Sequence, residues 1–162
     1  MKKQKICFDT SAICSLFDNS QNTPAVVRMF DYLDQNSNSF QLVVSPVFSY
    51  EIKYASEQLI EKIDKIVEIH HITRLPESKT AIDTAANLID LYINNQILTA
   101  KHYHDLAHLA YAGIFSCNFF ITCDKKHLAR QNTIDHIQKI NTQQNIFVPQ
   151  IVTPSIFMEI QK

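Results

Sequence analysis

The chain alternates between short apolar runs and longer segments in which apolar residues recur at every third or fourth position. A short apolar run bounded by polar residues is typical of a buried strand, and the longer spacing is typical of an amphipathic helix. The pattern predicts strands over 4–8, 40–44, 70–75, 119–121 and 146–152. It predicts helices over 24–35, 57–65, 78–94, 99–115, 125–129 and 154–160, a short one from Thr10 or Ser11 through Phe17, and another opening at Ser45 and Pro46.

Strands that alternate with helices in this way indicate an α/β fold with a parallel sheet. We expect a single domain over 1–162, because this length fits one hydrophobic core and the sequence shows no repeat, linker or low-complexity block. Ligands of such folds bind at the carboxyl ends of the strands. The polar residues that directly follow the predicted strands are therefore the candidates for function.

The residue content excludes several kinds of site. Gly113 is the single glycine, whereas a dinucleotide fingerprint needs three glycines and a phosphate-binding P-loop needs two. The four cysteines have no C-x-x-C spacing, which argues against a zinc ribbon. No apolar run approaches the roughly 18 residues of a membrane span, and no long apolar leader follows the first residues. From this pattern we expect a cytoplasmic protein.

Four acidic residues stand where a parallel sheet could bring them together. Asp9 follows the first strand and Asp124 follows the strand at 119–121, so both would lie at the same edge of the sheet. Glu51 lies about one and a half turns into the helix after the second strand, and Asp105 lies near the start of the helix that precedes 119–121. The sequence therefore predicts that four carboxylates converge.

A cluster of carboxylates is typical of a cation site, because neighbouring carboxylates otherwise repel one another and raise each other's pKa. Mg²⁺ is bound by one or two carboxylates and several waters, which leaves positions for phosphate oxygens. Bound metal also lowers the pKa of a water and stabilises the oxygens of a phosphoryl displacement. The balance of 15 basic and 16 acidic side chains is compatible with an acidic pocket in a mildly basic surface, so it does not count against a substrate that carries phosphates.

Each acid taken alone also has a simpler explanation. Asp9 could cap the first helix, and Asp124 could cap a helix over 125–129. Glu51 could be a solvated helix residue and Asp105 a surface charge. These alternatives stay open for the single residues, whereas the combination favours a site.

Five segments resemble the PIN domain, the nuclease domain of VapC-type toxins from bacterial toxin–antitoxin pairs. The resemblance covers essentially the whole chain and rests on the order and spacing of the segments. They are ICFDTSAI, VVSPVFSYEI, HDLAHLAYA, FFITCDKKHL and the tail around VPQIVTP.

The resemblance implies a three-layer α/β/α sandwich with a central parallel sheet. It implies Mg²⁺- or Mn²⁺-dependent endoribonuclease activity on RNA, a type II toxin role, a small antitoxin partner and a homodimer. By position, it implies a catalytic, metal-binding quartet supported by two hydroxyl side chains. The quartet is Asp9, Glu51, Asp105 and Asp124, and the supporting residues are Ser11 and Thr122.

Two other functions remain open on the sequence. His104 and His108 stand four positions apart in an HDxxH pattern, which resembles a zincin motif with Asp105 in place of its glutamate and would suit a histidine-ligated metallohydrolase. The simpler alternative is that both histidines have no metal-binding role, with His108 packed on the helix and His104 exposed. A non-catalytic PIN-like module that binds RNA or protein is the other possibility.

Basic side chains follow the fourth predicted strand. Lys125, His127 and Arg130 could contact RNA phosphates, because such side chains position nucleic acid without reading its sequence. The alternative is an ordinary solvated surface.

Overall fold

A computed structural model of the chain describes residues 2–162 and contains one five-stranded sheet. All strand pairs are parallel, and their order across the sheet is β3-β2-β1-β4-β5. The strands are β1 (Gln4–Phe8), β2 (Phe40–Val44), β3 (Thr73–Arg74), β4 (Phe119–Ile121) and β5 (Gln150–Val152). The helices are α1 (Thr10–Cys14), α2 (Thr23–Gln35), α3 (Val47–Ile52), α4 (Glu57–Ile69), α5 (Lys79–Asn94), α6 (Tyr103–Ile114), α7 (Gln131–Gln143) and α8 (Pro154–Ile160), with a 3-10 helix at Ala100–His102 before α6.

Side chains of the strands alternate between two hydrophobic cores, one on each face of the sheet. Ile6 and Phe8 of β1 pack on the face covered by α1, α2, α4 and α8. Cys7, between them, packs on the face covered by α5, α6 and α7. The predicted α/β/α sandwich with a central parallel sheet is confirmed.

The predicted strands β1, β2 and β4 have the bounds that the apolar runs indicated, whereas two others are shorter. Only Thr73–Arg74 of 70–75 pairs with β2, because His70 caps α4 and His71 turns the chain with a φ of 51°. Only Gln150–Val152 of 146–152 forms β5, because its single neighbour β4 offers three residues for pairing.

The helix bounds differ in four places. The segment 125–129 forms turns, and the helix begins at Gln131 instead. Asp9, rather than Thr10 or Ser11, caps α1 by accepting from the Ala12 amide, and α1 ends well before Phe17. The helix predicted over 57–65 runs on to Ile69, and the one predicted from Thr99 begins as a 3-10 turn.

No helix within residues 2–162 is long and apolar enough to cross a membrane.

Candidate functional site

The candidate site lies where the strand order reverses. β1 and β4 are neighbours in the sheet although β2 and β3 lie between them in sequence. The chain after β1 therefore runs towards β2 and β3 on one side of this pair, and the chain after β4 runs towards β5 on the other side. A crevice at this point is the usual place for a ligand in an open α/β sheet. Asp9 directly follows β1 and Thr122 directly follows β4, and the Asp9 amide donates to the Ile121 carbonyl at 3.1 Å.

Asp9 is a buried carboxylate held by hydrogen bonds. Its side chain accepts from Thr122 Oγ1 at 2.5 Å, from Ser11 Oγ at 2.8 Å and from the Ala12 amide at 2.8 Å. Desolvation raises the pKa of Asp9, and the hydrogen bonds and the nearby His108 oppose that rise only in part. The protein therefore keeps a carboxylate in a position where its charged form lacks adequate compensation.

The two hydroxyls that hold Asp9 are themselves fixed by the chain after β4. Thr122 Oγ1 accepts from the Asp124 amide at 3.0 Å, and Ser11 Oγ accepts from the Cys123 amide at 3.1 Å. The Thr122-x-Asp124 spacing thus joins the two strand ends through one hydroxyl. This is the local reason that the strand end at Asp124 stands beside Asp9.

Asp124 organises the turn that follows it. Its Oδ1 accepts from the amides of Lys126 and His127, both at 3.0 Å, and its Oδ2 lies 3.0 Å from Nδ1 of His127. The capping role considered for Asp124 therefore exists, but it serves a turn and not a helix.

Glu51 is held at the same edge by a buried histidine. His108, whose side chain is 1% exposed, places Nε2 2.7 Å from Glu51 Oε2 and Nδ1 2.8 Å from Ser45 Oγ. Thr10 Oγ1 also donates to Glu51 Oε2. Partial burial alone would raise the pKa of Glu51, but the hydrogen bonds from His108 and Thr10 outweigh it and lower that pKa.

Asp105 meets a second histidine. Its Oδ2 lies 3.1 Å from Nδ1 of His102, and the His102 ring lies 4.5 Å, centroid to centroid, from the ring of His127. Asp105 and Asp124 are therefore joined through two imidazole rings. Like Glu51, each of them is paired with a histidine.

The four predicted acids thus lie around one end of the sheet, each with hydroxyl or imidazole partners of its own. Among residues 2–162 no three His, Cys, Asp or Glu side chains are grouped closely enough to enclose a metal ion. An all-protein metal cage therefore does not fit this arrangement. The donor set does fit Mg²⁺ or Mn²⁺ held through one or two carboxylates and waters, since carboxylate oxygens are the ligands that such hard cations take.

The HDxxH alternative finds no support in the geometry. The side chain of His104 is 58% exposed, whereas His108 is buried, as predicted if neither histidine binds a metal. Both ring nitrogens of His108 already have protein partners, so the ring has no nitrogen free for a metal.

Of the basic residues predicted to contact RNA, Lys125 and His127 lie in the turn after Asp124 and Arg130 directly follows it. Lys125 and Arg130 are exposed, and His127 is partly exposed against Asp124. Sequence reasoning missed the positioning roles of His108, His102 and Ser45. The usable signal was that Ser45 directly follows β2, at the same strand end as the acids; the histidine roles depend on contacts between distant segments.

Comparison with known proteins identifies the fold. No family model and no curated protein matches the sequence. A chain in the crystal structure of VapBC2 from Rickettsia felis bound to a promoter DNA fragment matches with a TM-score of 0.60 and 11% identity, covering 92% of this chain and 98% of that one. A chain of VapBC-1 from nontypeable Haemophilus influenzae matches with a TM-score of 0.59 and 17% identity, covering 93% and 98%. At such identities the likeness shows a shared fold over nearly the whole chain.

Proposed function

We propose that this chain is a divalent-metal-dependent ribonuclease that cleaves RNA phosphodiester bonds and acts as the toxin of a toxin–antitoxin pair. The observation that carries the proposal is the Asp9 carboxylate, buried at the switch point of the sheet and joined to the strand end at Asp124 through Thr122. A ligand-binding edge lined by carboxylates suits a cation and a phosphate.

The energetics of Asp9 support a cation. Burial raises its pKa, so its ionised form is unfavourable in the protein alone. A chain that gained nothing from this charge would be more stable with a neutral side chain here. A bound divalent ion would favour the ionised form and offset the cost of desolvation.

In this proposal Asp9 and Asp124 would hold Mg²⁺ or Mn²⁺, and Glu51 and Asp105 lie beside them. We call the part of the sheet edge that carries these four carboxylates the acidic edge. The metal would supply Lewis-acid chemistry and an activated water. Ser11 and Thr122 fix the Asp9 carboxylate in one orientation.

The second oxygen of Glu51 and the basic turn complete the proposed site. His108 and Thr10 both engage Oε2 of Glu51, and Oε1 lies 3.6 Å from the exposed His104. That oxygen could therefore orient a water. The exposed Lys125 and Arg130 can position RNA phosphates.

The structural neighbours, which are chains of VapBC complexes, support an antitoxin partner. We infer a small antitoxin protein that covers the acidic edge and a second copy of the chain as a homodimer partner. Both belong to the same proposal as the RNA substrate.

The test is cleavage of an unstructured single-stranded RNA by the purified chain in Mg²⁺. Asp9→Asn should lower the rate by about 100-fold or more, which is about 2.7 kcal/mol of barrier. Asp124→Asn should act in the same direction. Asp83→Asn, on the exposed face of α5, is the matched control and should retain the wild-type rate.

Two results would overturn the proposal in different ways. If the Asp9→Asn variant cleaves RNA as fast as the wild type, the metal–carboxylate site cannot be the catalytic site. RNA binding without cleavage by the wild type, over a range of RNAs and divalent metals, would instead favour the non-catalytic binding module.

A further inference from the structure

A cleft lies beside the acidic edge, between the end of α5 and the turn after Asp124. Its volume is about 590 Å³. Its walls combine the apolar side chains of Ile93, Ile97 and Leu98 with the rings of His102 and His127.

The two histidine rings connect this cleft directly to the candidate site. Nδ1 of His102 lies 3.1 Å from Asp105, and Nδ1 of His127 lies 3.0 Å from Asp124. Each carboxylate fixes its ring, and Nε2 of neither ring has a hydrogen-bond partner in the described part of the chain. The cleft therefore combines apolar side chains with two imidazole rings whose Nε2 atoms are available to a ligand.

A metal ion is a poor occupant for this cleft. Two imidazoles would need a further ligand, and residues 2–162 hold no group of three His, Cys, Asp or Glu side chains that could bind a metal. A flat ring with a polar edge suits this lining better, because its faces could contact apolar side chains or imidazoles while its edge reaches a ring nitrogen.

We propose that the cleft between Ile97, Leu98, His102 and His127 binds one unpaired nucleobase of the RNA, next to the phosphate held at the acidic edge. The inference rests on the proposed ribonuclease function and adds a subsite that takes one base beside the acidic edge. A base inside a duplex could not enter the cleft, because it would have to leave its stack first.

The position of Lys101 is also consistent with a nucleotide in this cleft. It is exposed, lines the cleft and lies next to His102 in the 3-10 helix. A nucleotide with its base in the cleft and one phosphate near Asp124 would leave a neighbouring phosphate for this side chain.

The test fills the cleft without removing any packing. Ala100 lines the cleft and is exposed, so Ala100→Trp places an indole in it. Ala86→Trp, at an exposed position of α5 outside the cleft, is the matched control. Binding of a short fluorescent RNA is measured by anisotropy in Ca²⁺ and in EDTA, with a gel to confirm that the RNA stays intact. A series of RNAs carries one abasic nucleotide at each position in turn.

The wild type and Ala86→Trp should lose about 10-fold in affinity when one particular nucleotide is abasic. Ala100→Trp should bind intact RNA about 10-fold more weakly, and the same abasic nucleotide should then have no further effect. Unchanged RNA affinity and an unchanged abasic profile in Ala100→Trp would overturn the base pocket, including the case in which the cleft serves a protein partner.

The experiment separates this inference from the proposed function. Abasic-sensitive binding by a chain that never cleaves RNA would sustain the pocket and overturn the ribonuclease. Metal-dependent cleavage by a chain whose binding ignores Ala100→Trp would sustain the ribonuclease and overturn the pocket.

Discussion

Asp9 combines burial that disfavours its charged form with hydrogen bonds that fix its carboxylate. Asp9 is buried with a raised pKa, while Thr122 and Ser11 hold its carboxylate by hydrogen bonds. A site that binds a cation tolerates this combination, because the cation supplies the missing compensation. Under the proposed function, stability without metal and activity with metal would therefore oppose each other at this residue.

Asp9→Asn should raise the stability of the metal-free protein at neutral pH. The folded-state pKa of Asp9 lies above its ordinary value of 3.8, so its stabilising contribution is present below that value and is lost as the pH rises through the folded-state pKa. The advantage of Asp9→Asn over the wild type should therefore grow as the pH rises. Each kcal/mol gained should raise the melting temperature by about 2–4 °C.

The measurement is thermal unfolding in EDTA across acid to neutral pH. The control Asp83→Asn should follow the wild type. A variant Asp9→Asn that is less stable than the wild type at pH 7 would show that the ionised carboxylate is fully compensated by the protein itself.

His108→Ala should destabilise the protein by about 2–4 kcal/mol. The substitution leaves a cavity and removes the hydrogen-bond partner of Ser45 and one partner of Glu51. His104→Ala, at the exposed neighbour of the same helix, should change stability by less than about 0.5 kcal/mol. Urea unfolding of both variants checks the contrast, and equal effects would contradict the positioning role of the buried ring.

At the scale of elements, one close approach fixes how α6 sits against the segment before β5. A Cβ on Gly113 would lie 2.9 Å from Ile146 Cγ2, 3.0 Å from Asn141 Nδ2 and 3.0 Å from the Phe147 carbonyl oxygen. The Asn141 amide also donates to that carbonyl, and its oxygen accepts from the Tyr92 hydroxyl. The single glycine of the chain therefore serves helix packing.

Gly113→Ala should destabilise the protein by about 1–3 kcal/mol, because the backbone carbonyl of Phe147 must shift to admit the methyl group. The sign of the change in stability is informative, because replacing glycine by alanine in an unobstructed helix stabilises a protein by up to about 1 kcal/mol. Urea unfolding measures the difference. A Gly113→Ala variant as stable as the wild type would mean that Ile146, Asn141 and Phe147 move aside without cost.

The elements differ in how far the sequence could predict them. β4 consists of three buried apolar residues, and β1 and β2 each end in three buried apolar residues, so these runs indicate the strands without knowledge of their partners. The short β3 and β5 take their length from pairing with a neighbour, which no local pattern contains. Asp124 accepts from the amides of Lys126 and His127 as a helix cap does, which is why its pattern predicted a helix. The Ala129 amide instead donates to the Asp124 carbonyl five residues earlier, and 125–129 forms turns.

The candidate site divides in the same way. Asp9 and Asp124 could be identified because parallel strands end at one edge of the sheet. The histidine partners could not be identified, because His108 joins β2, α1, α3 and α6 through contacts that exist only in the folded chain. The resemblance to the PIN domain predicted the sandwich, and the solved structures of VapBC chains share that fold.

The whole molecule is a parallel sheet whose order reverses between β1 and β4, with the acidic edge at that point. If a divalent ion binds there, its free energy of binding adds to the stability of the entire fold. Mg²⁺ at 100 times its dissociation constant would add about 2.7 kcal/mol. Under the proposed function, metal binding would therefore be measurable by unfolding as well as by RNA cleavage.

Mg²⁺ should raise the melting temperature of the wild type by about 5–10 °C near such saturation, and EDTA should reverse the shift. Asp9→Asn should show little of this shift, whereas Asp83→Asn should show all of it. Differential scanning fluorimetry over a Mg²⁺ titration provides the measurement. A shift of the same size in Asp9→Asn would locate the bound metal elsewhere on the protein.

The most direct test of the central claim is metal removal and return during RNA cleavage. One single-stranded RNA is incubated with the wild type in Mg²⁺, then in excess EDTA, then after Mg²⁺ is restored. We expect cleavage to stop in EDTA and to return with Mg²⁺, and Asp9→Asn to stay inactive throughout. Cleavage that continues in EDTA, or that Asp9→Asn performs as well as the wild type, would contradict a ribonuclease built on the carboxylates at this edge.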